Sequence, residues 1–255
     1  MPPVDPDTKA ALSIPWRLRA ATYLRLFAVQ GAWNYETLLG NGVAFCMIPL
    51  LKLLPADRHK SALAREAQYF NAHPYLAAVA VGALARAELD GEDVTKIERF
   101  RTALCGPLGS MGDQLVWAAW LPVCSIIALG AFGIGTSPLV TLCIFLGLYN
   151  TGHLALRAWG LHVGLARGVR VAPALATPVL RRGPQVIGKV AALLAGIALP
   201  LAMHRALEPE RALAGTVVVV ALLGAVILAR VQGRTQGWRV ALVVLAAFVL
   251  YSVVF

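Results

Sequence analysis

The chain has 255 residues, 58% of them hydrophobic and 14% charged, with a mean hydropathy of +0.69. So apolar and charge-poor a composition excludes an ordinary soluble domain and indicates a membrane protein. The net charge of +10 does not point to nucleic acid, because residues 1–113 hold 12 Lys/Arg against 11 Asp/Glu while residues 114–255 hold 11 against 2, set in the breaks between apolar spans as in topology-fixing loops.

In chain order, residues 1–12 have neither the basic start nor the apolar core of a secretory signal, and are expected to be a disordered tail on the cytoplasmic side. Ser13-Ile-Pro-Trp-Arg opens a helix with Trp16, Ala20, Tyr23, Leu24 and Phe27 to one side and Arg17, Arg19 and Arg25 elsewhere, the pattern of a helix lying in the membrane interface or packed on a partner or core. Trp33-Asn-Tyr-Glu36 and Gly40-Asn-Gly42 lead into an apolar run, Val43 to Leu54, interrupted by Pro49. That run is shorter than the ~20 residues needed to cross the hydrocarbon, so it reads as re-entrant or interfacial. Pro55 starts a more polar helix through Phe70, with Asp57 in its first turn. Pro74 ends helical structure at Asn71-Ala-His73, and a second short apolar run, Leu76 to Ala85, follows. Arg86 to Arg101 carries charges of both signs and is expected to be a solvated helix.

Leu104 to Trp120 is where the chain changes character. Gly106, Pro107, Gly109 and Gly112 suggest an irregular, closely packed turn, with Asp113 at the N-cap of the next helix. Either Asp113 does no more than cap, or it belongs to a polar site on broken backbone. Five apolar spans follow, at about 115–132, 138–158, 186–203, 212–229 and 238–255, each near spanning length. The long connection 159–185 and a later one carry the arginines and are expected in the cytoplasm, which leaves Phe255 on the far side. The sequence thus predicts an all-α polytopic membrane protein: a tail (1–12), an amphipathic helix with short or re-entrant segments (13–113), and about five C-terminal transmembrane helices (114–255). Cys46, Cys105, Cys124 and Cys143 lack metal or disulfide spacing and read as buried thiols. His153 is read at a helix end and His162 in a basic loop, both structural.

Three polar clusters abut these apolar segments: Trp33 to Glu36, Asn71 to Tyr75, and Gly109 to Gln114. Together they offer carboxylates (Glu36, Asp113), amides (Asn34, Asn71, Gln114), an imidazole (His73) and aromatic faces (Trp33, Tyr35). That inventory suits a neutral ligand rich in hydroxyls and suits a phosphate poorly, because no Lys or Arg lies within the clusters. The alternative is general acid/base chemistry by Glu36, His73 and Asp113, although no nucleophile elbow, H-E-x-x-H or Walker pattern accompanies them. No metal site or cofactor is indicated.

Trp33-Asn-Tyr-Glu36, Gly42-Val-Ala-Phe-Cys-Met-Ile-Pro49, Tyr69-Phe-Asn-Ala-His-Pro-Tyr75 and Gly106-Pro-Leu-Gly-Ser-Met-Gly-Asp113, with the hydrophobic tail, resemble the IID membrane subunit of the mannose/fructose/sorbose family of the bacterial phosphoenolpyruvate-dependent sugar phosphotransferase system (PTS), from about residue 18 to the end. The resemblance implies a multi-pass subunit of the bacterial (inner) membrane that carries no phosphate itself and is not an enzyme alone. It implies a permease formed with a IIC subunit as a trimer of IIC–IID heterodimers, served by cytoplasmic IIA and IIB phosphocarriers, with a mannose-class hexose phosphorylated by IIB. The matched positions implied as lining of the sugar path are Asn34, Tyr35, Glu36, Asn71, His73 and Asp113. A non-transporting regulatory or receptor-like subunit, and a stand-alone membrane enzyme, are the competing readings.

Overall fold

A computed structural model of the protein describes residues 13–206. The expected tail at 1–12 and the spans at 212–229 and 238–255 lie outside the described residues. Among the described residues every regular element is helical: α1 (Trp16–Arg25), α2 (Gly40–Leu51), α3 (Ala56–Glu66), α4 (Ala77–Asp90), α5 (Val94–Gly112), a π-helical stretch (Asp113–Trp120), α6 (Leu121–Gly133), α7 (Pro138–Arg167), α8 (Ala172–Leu175) and α9 (Pro178–Ala206).

The short apolar segments form the centre. From Ala77 to Ala85, α4 has no exposed side, as expected of a helix apolar all round. It packs on α7 more extensively than any other helix pair, and α2 lies against it. Leu50, Leu51, Met47, Phe70, Leu76, Leu84 and Leu108 are fully buried there. A smaller cluster of Val123, Cys124 and Ala191 joins α6 to α9, with Trp120, Phe145 and Tyr149 around it. Cys46 and Cys124 are buried, Cys105 is half-buried and Cys143 is exposed, so the expectation of four buried thiols fails at Cys143.

Among the described residues three helices are long and apolar enough to cross a membrane: Val94–Gly133, Pro138–Arg170 and Ala172–Ala206. Large apolar side chains cover their outer surfaces, including Leu139, Leu142, Val186, Leu193 and Ile197, a surface that suits lipid rather than water. At 1.5 Å per residue the first helix is about 60 Å long, twice the hydrocarbon thickness, so its charged N-terminal half stands outside the apolar layer.

Several local expectations are corrected. Gly106 to Gly112 is no irregular turn and Asp113 is no N-cap, since helix runs unbroken from Val94 to Gly133, with Asp113 as the first residue of a π-helical stretch. Pro107 and Pro122 each remove a main-chain donor, and the disturbance is absorbed by a wider helical winding. The segment 86–101 is solvated on one face only. Asp93 caps α5 by accepting from the Lys96 amide at 3.1 Å, but Ile97, Glu88 and Arg101 are buried. The connection 159–185 is mostly helix, and both His153 and His162 lie within α7.

Candidate functional site

The segment between α3 and α4 is held by main-chain pairing and one arginine. Leu39 donates to the Phe70 carbonyl at 3.0 Å, and Phe70 donates to that of Thr37 at 3.1 Å. From α5, Arg101 donates to the main-chain carbonyls of Glu66, Gln68 and Tyr69 and to the Glu66 carboxylate, at 2.5 to 3.2 Å, with its guanidinium 5.1 Å from the Phe70 ring centroid. Residues 66–70 are therefore fixed to α5, which leads directly into Asp113.

Beyond that clamp, Asn71 and His73 meet α5. A cleft of about 380 Å³ is lined by Tyr69, Asn71, His73, Ser110 and Asp113, with Cys105, Gly106 and Gly109 on the helix side. Gly112 makes the approach possible, because a Cβ there would stand 2.1 Å from the His73 Cβ. Asn71, Ser110 and Asp113 are exposed while His73 is buried. His73 Nδ1 accepts from the Tyr75 amide at 3.2 Å, and its Nε2 has no partner among the described residues. A buried donor left unmade costs about 1–3 kcal/mol, which a ligand hydroxyl would relieve. Among the described residues no Lys or Arg lines the cleft.

Burial holds His73 down at about pH 4; the Asp113 carboxylate opposes the shift and Arg157 adds to it. Because the folded pKa lies below the unfolded one, the stability it contributes is complete above pH 6.5 and is lost as pH falls through about 4. On that basis His73→Gln should remove roughly 3 kcal/mol of pH dependence, read as the difference in thermal unfolding between wild type and variant from pH 7 to 4. Taking the difference cancels Glu66, which burial raises to about 7 and which therefore slopes the opposite way.

The remaining predicted residues sit on a neighbouring turn. Asn34 Oδ1 accepts from the amides of Glu36 and Thr37 at 2.9 and 2.8 Å, and its Nδ2 donates to Thr37 Oγ1 at 2.9 Å. Its amide is thus spent on the turn, which presents Glu36 and Tyr35 outward, Tyr35 being 90% exposed. The structure brings Asn71, His73 and Asp113 into one cleft and leaves Asn34, Tyr35 and Glu36 outside it. Gln114 is exposed and outside it as well.

Behind the cleft, His73 packs on Tyr75 and Trp117 with centroids 5.0 and 5.3 Å apart. The Tyr75 hydroxyl meets that of Tyr149 at 2.8 Å, and the Tyr75 ring lies 5.0 Å from His153 and 4.7 Å from the Arg157 guanidinium. Arg157 is 5% exposed and donates to the Leu26 carbonyl, and among the described residues no carboxylate is paired to it. Sequence reasoning passed over Arg157 and Arg101. For Arg157 the signal was present, an arginine inside an apolar span; Arg101 sat in a run of mixed charge where nothing set it apart.

The sequence-family model described as "PTS system mannose/fructose/sorbose family IID component" matches residues 16–190. The chain is 31% identical over 157 residues to the mannose-specific EIID component of Escherichia coli (strain K12), covering 58% of this chain and 55% of that protein. It is 29% identical over 176 residues to the fructose permease IID component of Bacillus subtilis (strain 168), covering 65% and 63%, and 30% identical over 177 residues to a sorbose-specific EIID component of Klebsiella pneumoniae, covering 65% and 64%. The chain thus spans less than two thirds of the length of these relatives. A chain in the cryo-EM structure of the mannose transporter ManYZ with microcin E492 superposes with a TM-score of 0.57 at 25% identity, over 72% of this chain and 69% of that one.

Proposed function

Because the chain belongs to the mannose/fructose/sorbose family of PTS IID components, we propose that it is a membrane subunit of a sugar permease and that the Asn71–His73–Asp113 cleft lines the sugar path. The observation that carries this reading is the composition of the cleft. Among the described residues it combines an amide, a hydroxyl, a carboxylate and a buried imidazole nitrogen with no partner, and no cation lines it. Such groups hydrogen-bond a neutral hexose and offer nothing to retain its phosphate ester. Sugar therefore enters unphosphorylated and leaves the cleft before a phosphoryl group is added elsewhere.

In this reading a IIC subunit completes the path in a trimer of IIC–IID heterodimers, IIA and IIB relay phosphate in the cytoplasm, and the sugar is of the mannose class. The sorbose- and fructose-specific relatives leave ketohexoses as the next candidates. The protein sits in the bacterial inner membrane with its N-terminus cytoplasmic. The exposed turn carrying Tyr35 and Glu36 forms the outer lip of the path, with Asn34 holding its shape.

Cells expressing all four components should lose phosphoenolpyruvate-dependent sugar phosphorylation on Asp113→Asn or His73→Ala, each by about tenfold or more. Unchanged uptake in both variants, with the protein present in the membrane, would remove these residues from the path.

A further inference from the structure

A second cleft, of about 300 Å³, lies in the seam between α1 and α7 and is lined by Trp16, Arg19, Tyr23, Leu161 and His162 among others. Arg19 Nη2 stands 3.2 Å from His162 Nδ1. A guanidinium only donates, so Nδ1 accepts and the neutral ring carries its hydrogen on Nε2, where it is a further donor. Among the described residues neither Arg17 nor Arg19 is paired with a carboxylate, and no Asp or Glu occurs from Ser13 to Tyr35. The seam therefore gathers donors and positive charge with no carboxylate to match among the described residues.

Trp16, which lines the seam, is 72% exposed, and further along the same segment Leu24 is 67% and Phe27 47% exposed; the Arg17 guanidinium lies 5.8 Å from the Trp16 ring centroid. An amphipathic helix with bare aromatics beside bare arginines is satisfied at a membrane surface, where headgroups take the cations and acyl chains take the rings. α7 ends just beyond the seam at Arg167, with Arg170 following, so this end of the molecule attracts an anionic leaflet.

We propose that the α1–α7 seam binds the headgroup of an anionic phospholipid, with Arg19 and His162 taking the phosphodiester and the acyl chains lying against Trp16 and Tyr23. Unpaired charge beside exposed apolar side chains selects this occupant: a free phosphate meets only the first feature, and a neutral lipid only the second.

The test uses the full chain in detergent with equal phosphatidylglycerol and phosphatidylcholine, read by native mass spectrometry as the ratio of lipids retained. Wild type should favour phosphatidylglycerol by about tenfold, and Arg19→Gln with His162→Gln should bring the ratio near unity, at about threefold per contact. Each variant's ratio is internal, so a change in overall stability cancels. Arg19→Lys, which keeps the charge, should keep most of the preference if the double variant fails to fold. Inorganic phosphate at matching concentration should not displace the lipid. Equal retention by wild type, an unchanged ratio in the double variant, or displacement by phosphate would each overturn the proposal.

Discussion

Gly164→Val is expected to abolish the folded protein or to cost roughly 3 kcal/mol or more, the largest effect of any single substitution in the α4–α7 interface. A Cβ at Gly164 would stand 2.4 Å from the Val79 carbonyl oxygen and 2.7 Å from the Ala83 nitrogen. Both are main-chain atoms of a buried helix, so no rotamer change relieves the collision. Across the interface, a Cβ at Gly82 would lie 2.6 Å from the Leu161 carbonyl oxygen, and one at Gly160 would lie 3.0 Å from Val79 Cγ2. Gly160 and Gly164, four residues apart, make the small-residue stripe that lets membrane helices approach closely. Gly147 provides the control: it lies on the same α7 with nothing within 4 Å of an added Cβ, so Gly147→Ala should be neutral or mildly stabilising. Melting temperatures of detergent-solubilised variants measure the contrast, and equal values for Gly164→Val and Gly147→Ala would refute the interface argument. The consequence reaches the cleft, because α7 carries the His153 and Arg157 that hold Tyr75 and α4 begins just after it.

The helical class, the short apolar segments and the polar clusters were legible because composition and run length report directly on burial. The three described spans fall where apolar runs were drawn, but the first and third begin earlier, at Val94 and Ala172, and the second runs on to Arg170. Periodicity cannot tell a glycine turn from a helix whose glycines are merely exposed, and Gly106 and Gly109 have nothing near an added Cβ, so they need not break the chain. The cleft was half legible. His73 and Asp113 belong to separate motifs, and what unites them is the contact at Gly112, a long-range approach with no local pattern. Asn34 shows the reverse error. An amide in a polar cluster reads as a ligand, yet its donors and acceptor are consumed within three residues of chain, as Asn in turns commonly is. Glu36 lies on that outward turn, outside the cleft that His73 and Asp113 line.

Arg101→Met should destabilise the protein by about 3–5 kcal/mol, the usual cost of stranding a buried charge, and should do so more severely at pH 8 than at pH 5. The substitution leaves the Glu66 carboxylate, 0% exposed, without its cation, and leaves the carbonyls of Glu66, Gln68 and Tyr69 without that donor. Burial already lifts Glu66 to about 7, with Arg101 opposing and Glu88 adding; removing Arg101 lifts it further. A folded pKa above the unfolded one means that its stability contribution is complete below about pH 4.5 and is lost as pH rises through the folded value. At pH 5 Glu66 is neutral in both proteins and the variants lie closest, whereas at pH 8 the variant still has to hold a proton that wild type has released. Arg101→Met combined with Glu66→Met should recover part of the loss, a coupling that separate surface charges would not show. The double variant still lacks the donor to residues 66–69, so it should regain stability without regaining sugar phosphorylation if that segment positions Asn71 and His73. Recovery of both together would show that Arg101 stabilises the fold without shaping the cleft.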